Sequence, residues 1–589
     1  MNTATTKSPV LIVGAGPTGL TMAAELTRHG IPCRIVDRKS GVTDKTKALS
    51  VQSRTMEVFE DMGIVDEVLE RGRIVSGFSF YTEGRRIFQV ASGELDTPYS
   101  FNMLYPQFET ERSLYSHLNS LGTKVEWNTE ILELEQENGQ IRVKLARSSG
   151  EVSSPGSLVK LQDADRNVES LEPDYLIACD GGRSFCRKAL NIKLEGETFD
   201  SEFIIADLQL DWANPPMKDE WHGYFTDQGF VLIASLDGKN SWRIVMEVPW
   251  DMQDKSDTSH YEQPTFAEFQ KMFEMLNPIP GLKLTEPNWI SRFRIHRRII
   301  DRFRHGNVFF AGDAGHLHSP AGGQGMNTGI QDVYNLAWKL ALVCRGIALP
   351  ELLDTYNAER YPIIKRQVQT TDAAFKMMLL RHPVSRAIRD RLASLLNNIE
   401  PVLNRMEQRA SMITINYRNS PIADEYRELP LYLGTPIKEI AEIGVWRDFG
   451  EAPHAGDRAP DFTFDSNGVE KRLFEIIQGT SHKLLMFVGN YDEPDFEEDF
   501  KQRYSLLEQK YGEAIEFVLI HMNELPFIVE GEISTVQDDN GELHQRYGAH
   551  SHCIYLIRPD GYIGYRSQPA KLDLFLEYCD RIFTETTIA

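Results

Sequence analysis

Three clusters of glycine with an acid carry residue types and spacings that could do chemistry. The first is Gly14-Ala-Gly16-Pro17-Thr-Gly19, followed 18 positions later by Asp37 and then Arg38. Glycines so placed allow a tight turn at Gly14, close approach of backbone to a pyrophosphate at Gly16, and close helix–strand packing at Gly19. A helix starting here offers unpaired N–H groups and a positive dipole end to phosphates, and Asp37 could accept hydrogen bonds from a ribose. The second cluster, Asp180-Gly181-Gly182, ends the apolar run Tyr175-Leu-Ile-Ala-Cys. The third begins at Gly312-Asp313 and resumes at Gly323, Gly325, Met326 and Asn327, where a long helical pattern starts. Backbone so rich in glycine suits contact with a flat ligand, and the helix dipole would face developing negative charge. The first cluster alone does not separate FAD from NAD.

Other groups have competing readings. Asp313, His316 and His318 have the spacing of metal ligands, but Asp313 already belongs to a glycine cluster, so no metal is expected. The basic run Arg292–Arg298 either meets the phosphates of NAD(P)H or forms ion pairs in a chain of net charge −23. Lys47 and Arg54 are further cations that could hold an anionic cofactor. His222 and Tyr224, within Trp221-His-Gly-Tyr, either point into a substrate pocket or pack within a sheet, and Pro320 is a third pocket candidate.

The elements that must position these groups follow from pattern. Val10–Val13 reads as a buried strand, Leu20–Arg28 as a helix and Cys33–Asp37 as a second strand. Strand, glycine turn, helix, strand and acid in this order are the dinucleotide-binding fingerprint. Ile330, Val333, Leu336, Leu340 and Cys344 recur at helical spacing. Between residues 190 and 290 the segments 203–211, 229–235 and 241–247 read as sheet strands, and 352–409 reads as helical. After Pro453 the chain restarts with strands at 484–488, 515–520 and 554–558 and a Pro559-Asp-Gly561 turn.

The 589 residues imply about three or four structural units. The acidic balance argues against a nucleic-acid partner, which needs a basic surface. The uncharged stretch 8–24 is interrupted by glycine and proline and lacks the pattern of a signal peptide, and no run approaches the ~20 apolar residues of a membrane span. Six scattered cysteines without a CxxC pair point to a reducing compartment, so a cytoplasmic location is expected.

In this order the three motifs resemble those of the class A flavoprotein aromatic hydroxylases, the group that includes p-hydroxybenzoate hydroxylase, phenol hydroxylase and the polyketide hydroxylases. Lys47-Ala48, the segment Gln52–Glu57, and Gln107 with Glu109 and Leu114 add lesser matches. The resemblance implies FAD as cofactor. It implies that Asp37 holds the adenosine ribose, Asp313 the ribityl or pyrophosphate end, and Gly325, Met326 and Asn327 the isoalloxazine ring. It further implies that Gln107 contacts the flavin side chain and that Asp180 and Gly181 touch FAD and shape the groove visited by NAD(P)H. Lys47 stands where the family usually has Arg, which keeps the charge but loses the bidentate fork. Leu49 stands where the simple-phenol hydroxylases carry Asp, which suits the large-substrate hydroxylases and leaves no catalytic base to name.

The fold so implied is multidomain, α/β and α+β: a Rossmann-like FAD-binding domain (8–78, 107–189 and 291–380), an inserted β-sheet substrate domain (79–106 and 190–290), a helical connector (381–452) and a thioredoxin-like domain without CxxC (453–589). The activity implied is hydroxylation of a phenolic or polyaromatic substrate with NAD(P)H and O2 through a flavin C4a-hydroperoxide. Baeyer–Villiger oxygen insertion on a polyketide and a non-catalytic flavin-binding or interaction protein are the alternatives. A homodimer is implied at the family level.

Overall fold

The computed structural model describes residues 9–46, 48–91, 93, 95–148, 166–212, 218–236, 238, 240–253, 263–276, 278–279, 281–285, 287–317, 323–380, 382–397, 399–427, 447–488, 496–522 and 533–584. Lys47, His318 and Pro320 lie outside them.

The strand Val10–Val13 is central in a six-stranded sheet. Tyr175–Ala178 and Cys33–Val36 pair with it in parallel on either side, followed outward by Val308–Phe310 and Arg304–His305 on one edge and Val125–Glu126 on the other. A central parallel strand is covered on both faces, which is why Val10–Val13 is apolar at every position and buried throughout. The helix Pro17–Arg28 starts four residues after this strand and the helix Gln324–Cys344 lies against the same core, joining Leu20, Ala23 and Leu26 to Ile330, Val333 and Leu336. Gly19 makes the close approach possible: a Cβ there would lie 1.8 Å from the carbonyl oxygen of Gly14.

A second, nine-stranded sheet stands over the first. Its spine runs Trp289–Ile299, Glu195–Asp211, Ser241–Glu247, Phe230–Ser235, Glu220–Phe225, Gly77–Thr82 and Arg85–Ala91. Alternation divides its side chains. Ile204, Ala206, Ile233, Ile244 and Met246 form one core with Phe269, Met272 and Phe273 of the helix Phe266–Leu276. Their neighbours Phe203, Ile205, Leu232 and Val245 line a cavity on the opposite face.

The stretch 381–452 contains the helices Pro383–Leu396 and Glu400–Ala410 and also the strand Asp424–Arg427, which the sequence reading missed. That strand pairs in parallel with Ile563–Gln568 and forms the edge of a six-stranded C-terminal sheet. Asp-Glu-Tyr-Arg carries no apolar alternation, because an edge strand of four residues buries little. The remaining strands of this sheet are Cys553–Ile557, His482–Phe487, Ile515–His521 and Ile533–Gln537.

The C-terminal sheet meets the first domain through buried charges. The Arg558 guanidinium donates to both carboxylate oxygens of Glu359 (2.7 and 2.9 Å) and to Asp560. Lys339 donates to Glu359 at 2.6 Å and Asn335 to Asp560 at 3.0 Å. Burial lowers the Lys339 ammonium to about 8, the attraction of Glu359 only partly opposing it.

Candidate active site

A cavity of about 1120 Å3 opens at the carboxyl ends of the parallel strands, between the two large sheets. Ligands of open α/β sheets bind in that crevice. One half of its wall is backbone and polar groups. Gly14, Gly16, Pro17, Asp37, Arg38 and Gln107 line it, as do Asp180, Gly181, Asp313, Gly323, Gly325 and Met326. The fold therefore brings three clusters separated by some 300 residues to one surface.

The geometry of this half follows from local constraints. Gly14 has φ +104°, and a Cβ there would lie 2.4 Å from the Cys179 carbonyl oxygen, so the turn requires glycine. A Cβ on Gly16, Gly181 or Gly325 would meet nothing within 4 Å. These three backbones thus face open space. The Asp37 carboxylate accepts from the backbone N–H of Ala15 (2.6 Å) and of Lys39 (2.8 Å), tying the glycine turn to the end of the second strand. Asp180 Oδ2 accepts from the N–H groups of Phe185 and Cys186, while its buried Oδ1 has no partner among the described residues. Gln324 Oε1, at the start of the long helix, is in the same state. Unpartnered acceptors beside bare backbone fit a flat ligand carrying hydroxyl and N–H donors and phosphates, which FAD is.

Gly19 lies away from the cavity and sets the helix–strand packing expected of it, whereas Asn327, expected at the ring system, does other work. Asn327 is fully buried: its Oδ1 accepts from the Gln52 N–H (2.9 Å), and its Nδ2 donates to the carbonyls of Ser50 (2.9 Å) and Gly323 (2.7 Å). It locks the glycine loop to the strand Ser50–Val51. Gln107 likewise accepts from the Ala48 N–H at 3.2 Å and donates to Glu111 at 3.0 Å, holding the segment after Lys47 in place.

The expected pocket residues His222 and Tyr224 are displaced from the cavity. On the strand Glu220–Phe225 it is Trp221 that lines it; side chains two apart share a face, so His222 and Tyr224 point to the other. There Tyr224 stacks on Tyr81 (5.0 Å, 16°), and the Tyr81 hydroxyl lies 3.4 Å from His222 Nδ1. Burial pushes the Tyr224 phenol up. Knowing which neighbour faced inward required the pairing register. The inward face carries Phe78, Phe80, Phe88, Trp221, Phe203 and Leu232, with Leu49 also in the cavity wall. Arg243 also lines the cavity from this sheet. It is paired bidentately with Asp207 (2.8 and 2.9 Å) and donates to the Thr46 carbonyl.

Of the cations singled out in the sequence, Arg54 and the run Arg292–Arg298 are engaged elsewhere. Arg292 and Arg294 both pair with the fully buried Glu202, and Arg298 donates to Thr198, so this run serves the sheet. Arg54 donates to Glu57 (2.7 Å) and to the Asp560 carbonyl (2.6 Å) at the junction with the C-terminal sheet. His316 donates toward or accepts from Asp332 Oδ2 at 2.7 Å, and Asp332 also accepts from the Gly312 N–H and from Arg360 Nε. Burial pushes the Asp332 carboxyl up, but Arg360 and His316 outweigh it and hold it down to about 2. Asp332 and Arg360 fix the Gly312–Asp313 turn, and neither was singled out in the sequence, since each sits inside a helix without a motif. Among the described residues no group of three His, Cys, Asp or Glu is placed to hold a metal ion, and no helix is long and apolar enough to cross a membrane. Cys179 lines the cavity, but burial and Asp180 keep its thiol protonated.

Comparison with known proteins agrees with this geometry. Residues 7–371 match the family described as FAD binding domain. The 6-methylpretetramide 4-monooxygenase of Streptomyces rimosus is 32% identical over 571 residues, 95% of this chain and 90% of that protein. Pentachlorophenol 4-monooxygenase of Sphingobium chlorophenolicum is 31% identical over 581 residues, 97% of this chain and 96% of that protein. The solved structure of the anhydrotetracycline hydroxylase of Streptomyces rimosus shares the fold over 98% of both chains, with a TM-score of 0.71 at 24% identity. The glycine-lined cavity and the match along nearly the whole chain place this protein in the FAD-binding-domain family of flavin-dependent aromatic monooxygenases.

Proposed function

We propose that this monooxygenase hydroxylates a bulky phenolic or polycyclic aromatic substrate, with NAD(P)H and O2 as cosubstrates. The observation that carries this reading is one continuous cavity with two unlike walls, bare glycine backbone on one side and aromatic sheet residues on the other. The relatives named for pentachlorophenol and 6-methylpretetramide support an aromatic substrate class.

In this reading Gly14, Gly16 and the N-terminus of the helix Pro17–Arg28 bind the pyrophosphate. Asp37 and Arg38 hold the adenosine end, Asp180, Gly181 and Asp313 the ribityl end, and Gly323, Gly325 and Met326 the ring system. Bound FAD supplies the redox chemistry: two electrons from NAD(P)H, then transfer of one oxygen atom of O2 to the ring while the other leaves as water. The protein's own part is to bind, orient and exclude water. The N-terminus of Gln324–Cys344 presents N–H groups and a positive dipole end where negative charge develops on the ring system. Phe78, Trp221, Phe203 and Leu232 hold the substrate ring by apolar contact and keep the space dry, which limits wasteful release of hydrogen peroxide. Leu49 in the wall fits a reaction without a side-chain base at that position.

The same reading divides the chain into an FAD unit (8–78, 107–189 and 291–380), a substrate sheet (79–106 and 190–290, its first strand starting at Gly77), a connector (381–452) and a thioredoxin-like unit (453–589) that takes an edge strand from the connector. It takes the protein to be cytoplasmic and homodimeric. The test is to purify the protein, record flavin absorbance, and follow NADPH and NADH oxidation with a panel of phenols and polycyclic aromatics. Substrate-stimulated oxidation giving a product heavier by one oxygen with its rings intact is expected. An opened or expanded ring would favour oxygen insertion instead, and bound flavin without stimulated oxidation would sink the hydroxylase reading.

A further inference from the structure

The glycine wall and the aromatic wall of the cavity meet at a small third sheet, formed by the strands Ser50–Val51, Asn102–Leu104 and Arg73–Val75. Alternation divides its side chains. Val51 and Met103 turn into the core of the first domain, while Ser50, Gln52 and Asn102 line the cavity. Leu104 and Val75 pack with Trp221 of the aromatic wall. Ser50 is pinned from the other side. A Cβ on Gly323 would lie 2.8 Å from the Ser50 Cβ, and the Ser50 carbonyl accepts from Asn327 Nδ2.

The hydroxyl of Ser50 accepts from Gln52 Nε2 at 3.4 Å and donates to Asn102 Oδ1. A hydroxyl carries a single proton, so this chain of bonds fixes the Asn102 amide: Oδ1 is engaged by Ser50, and the Nδ2 protons are directed away from it. Among the described residues none accepts from them. Asn102 is half-buried in the cavity wall, and a donor held there in one orientation suits an acceptor on whatever fills the cavity.

We propose that Asn102 binds the substrate, its amide N–H receiving a phenol or ketone oxygen of the aromatic ring beside the glycine loop. The assignment rests on the hydroxylase reading above and narrows its substrate class. A neutral N–H holds that oxygen as a phenol, as a phenolate and as the carbonyl it becomes while the ring accepts oxygen, because each form offers a lone pair. Fixing this oxygen also fixes which ring carbon faces the glycine loop. Two ionic groups set the charge that fits. Arg243 is already engaged by Asp207 and the Thr46 carbonyl. The Glu407 carboxylate, which accepts from the Gly93 N–H just beyond the aromatic-wall strand Arg85–Ala91, lines the same cavity. A carboxylate on the substrate would meet a cation already paired and a second carboxylate, so this side of the cavity selects an uncharged ring system with an oxygen acceptor.

Equilibrium dialysis of the full-length, FAD-loaded protein without NAD(P)H reads binding apart from turnover. The probes are 9-fluorenone, whose ketone accepts but cannot donate, fluorene, which lacks the oxygen, and 9-oxofluorene-2-carboxylate, which adds a charge. The wild type is expected to bind 9-fluorenone at least about fivefold more tightly than fluorene, and the carboxylate more weakly than 9-fluorenone. Asn102→Leu, close in size, should abolish the preference for the ketone while flavin content holds and the Kd for fluorene stays within about twofold. An equal loss for ketone and hydrocarbon would mean that Asn102 only shapes the wall, and overturns the proposal. A wild type that binds 9-fluorenone no better than fluorene, or binds neither, also overturns it, and tighter binding of the carboxylate overturns the charge selection. Should Asn102→Leu not fold, Asn102→Asp decides on the same outcomes, since it keeps an oxygen for Ser50 but has no N–H. Ketone selectivity that depends on Asn102 in a protein that never hydroxylates a phenol would uphold the donor and sink the hydroxylase reading alone.

Discussion

The two walls of the cavity are built on opposite principles. The cofactor wall is mostly backbone, held at fixed φ angles by glycines and by locks such as Asn327, Asp332 and Gln107. The substrate wall is side chain, projected from every second residue of a regular sheet. Backbone recognition tolerates no added atom where strand and helix touch, whereas an apolar wall changes by degrees, a methyl group at a time. One half should therefore fail abruptly on substitution and the other should grade.

The largest effect expected is at Gly19. A Cβ there overlaps the Gly14 carbonyl oxygen, so Gly19→Ala should abolish recovery of folded, flavin-bearing protein. Gly16→Ala should act differently, because its Cβ would enter open space. The apoprotein should melt within about 2 °C of wild type, yet its FAD affinity, read by fluorescence titration, should fall at least about tenfold, or some 1.4 kcal/mol. Unchanged affinity would break the idea of a backbone cradle.

An intermediate effect is expected at Asp332, which supports the cofactor wall from behind. Its carboxyl is held at about 2 against an ordinary 3.8. A carboxyl depressed in the folded state stabilises it above the unfolded value, and this contribution, about 2 kcal/mol, is lost as pH falls from about 4 to about 2. Urea denaturation of Asp332→Asn across that range should lack this acid limb. An acid limb identical to wild type would mean that the Arg360 pairing does not hold the turn.

The smallest effects belong to the substrate wall. Trp221→Ala should raise KM for an aromatic substrate about tenfold with a lesser change in kcat, while His222→Gln and Tyr224→Phe, on the outer face, should shift KM less than about twofold. Equal effects from the three would show that the strand's faces are misassigned.

Legibility in the sequence followed the same division. The glycine clusters could be read because each is a local backbone requirement: a positive φ at Gly14 or Gly323 leaves a mark in one residue type. The network behind them could not. Asp332 and Arg360 are ordinary helical residues until the fold sets them 2.8 Å apart. Arg54 and Arg292–Arg298 looked available because an acidic chain makes every cation stand out; Glu57 claims Arg54 from three residues along the same helix, but Glu202 reaches Arg292 and Arg294 only through the strand pairing. The strand Asp424–Arg427 escaped because its order comes from Ile563–Gln568, far along the chain.

By itself the sequence determined the class of protein. Strand, glycine turn, helix and acid are encoded within some thirty residues, and their order along the chain carries the resemblance to the flavin hydroxylases. The tertiary structure decided which side chains face the substrate, which charges are already paired, and which apolar residues stay outside. Those properties depend on register and on contacts between residues hundreds apart, where a shift of one position turns Trp221 out and His222 in.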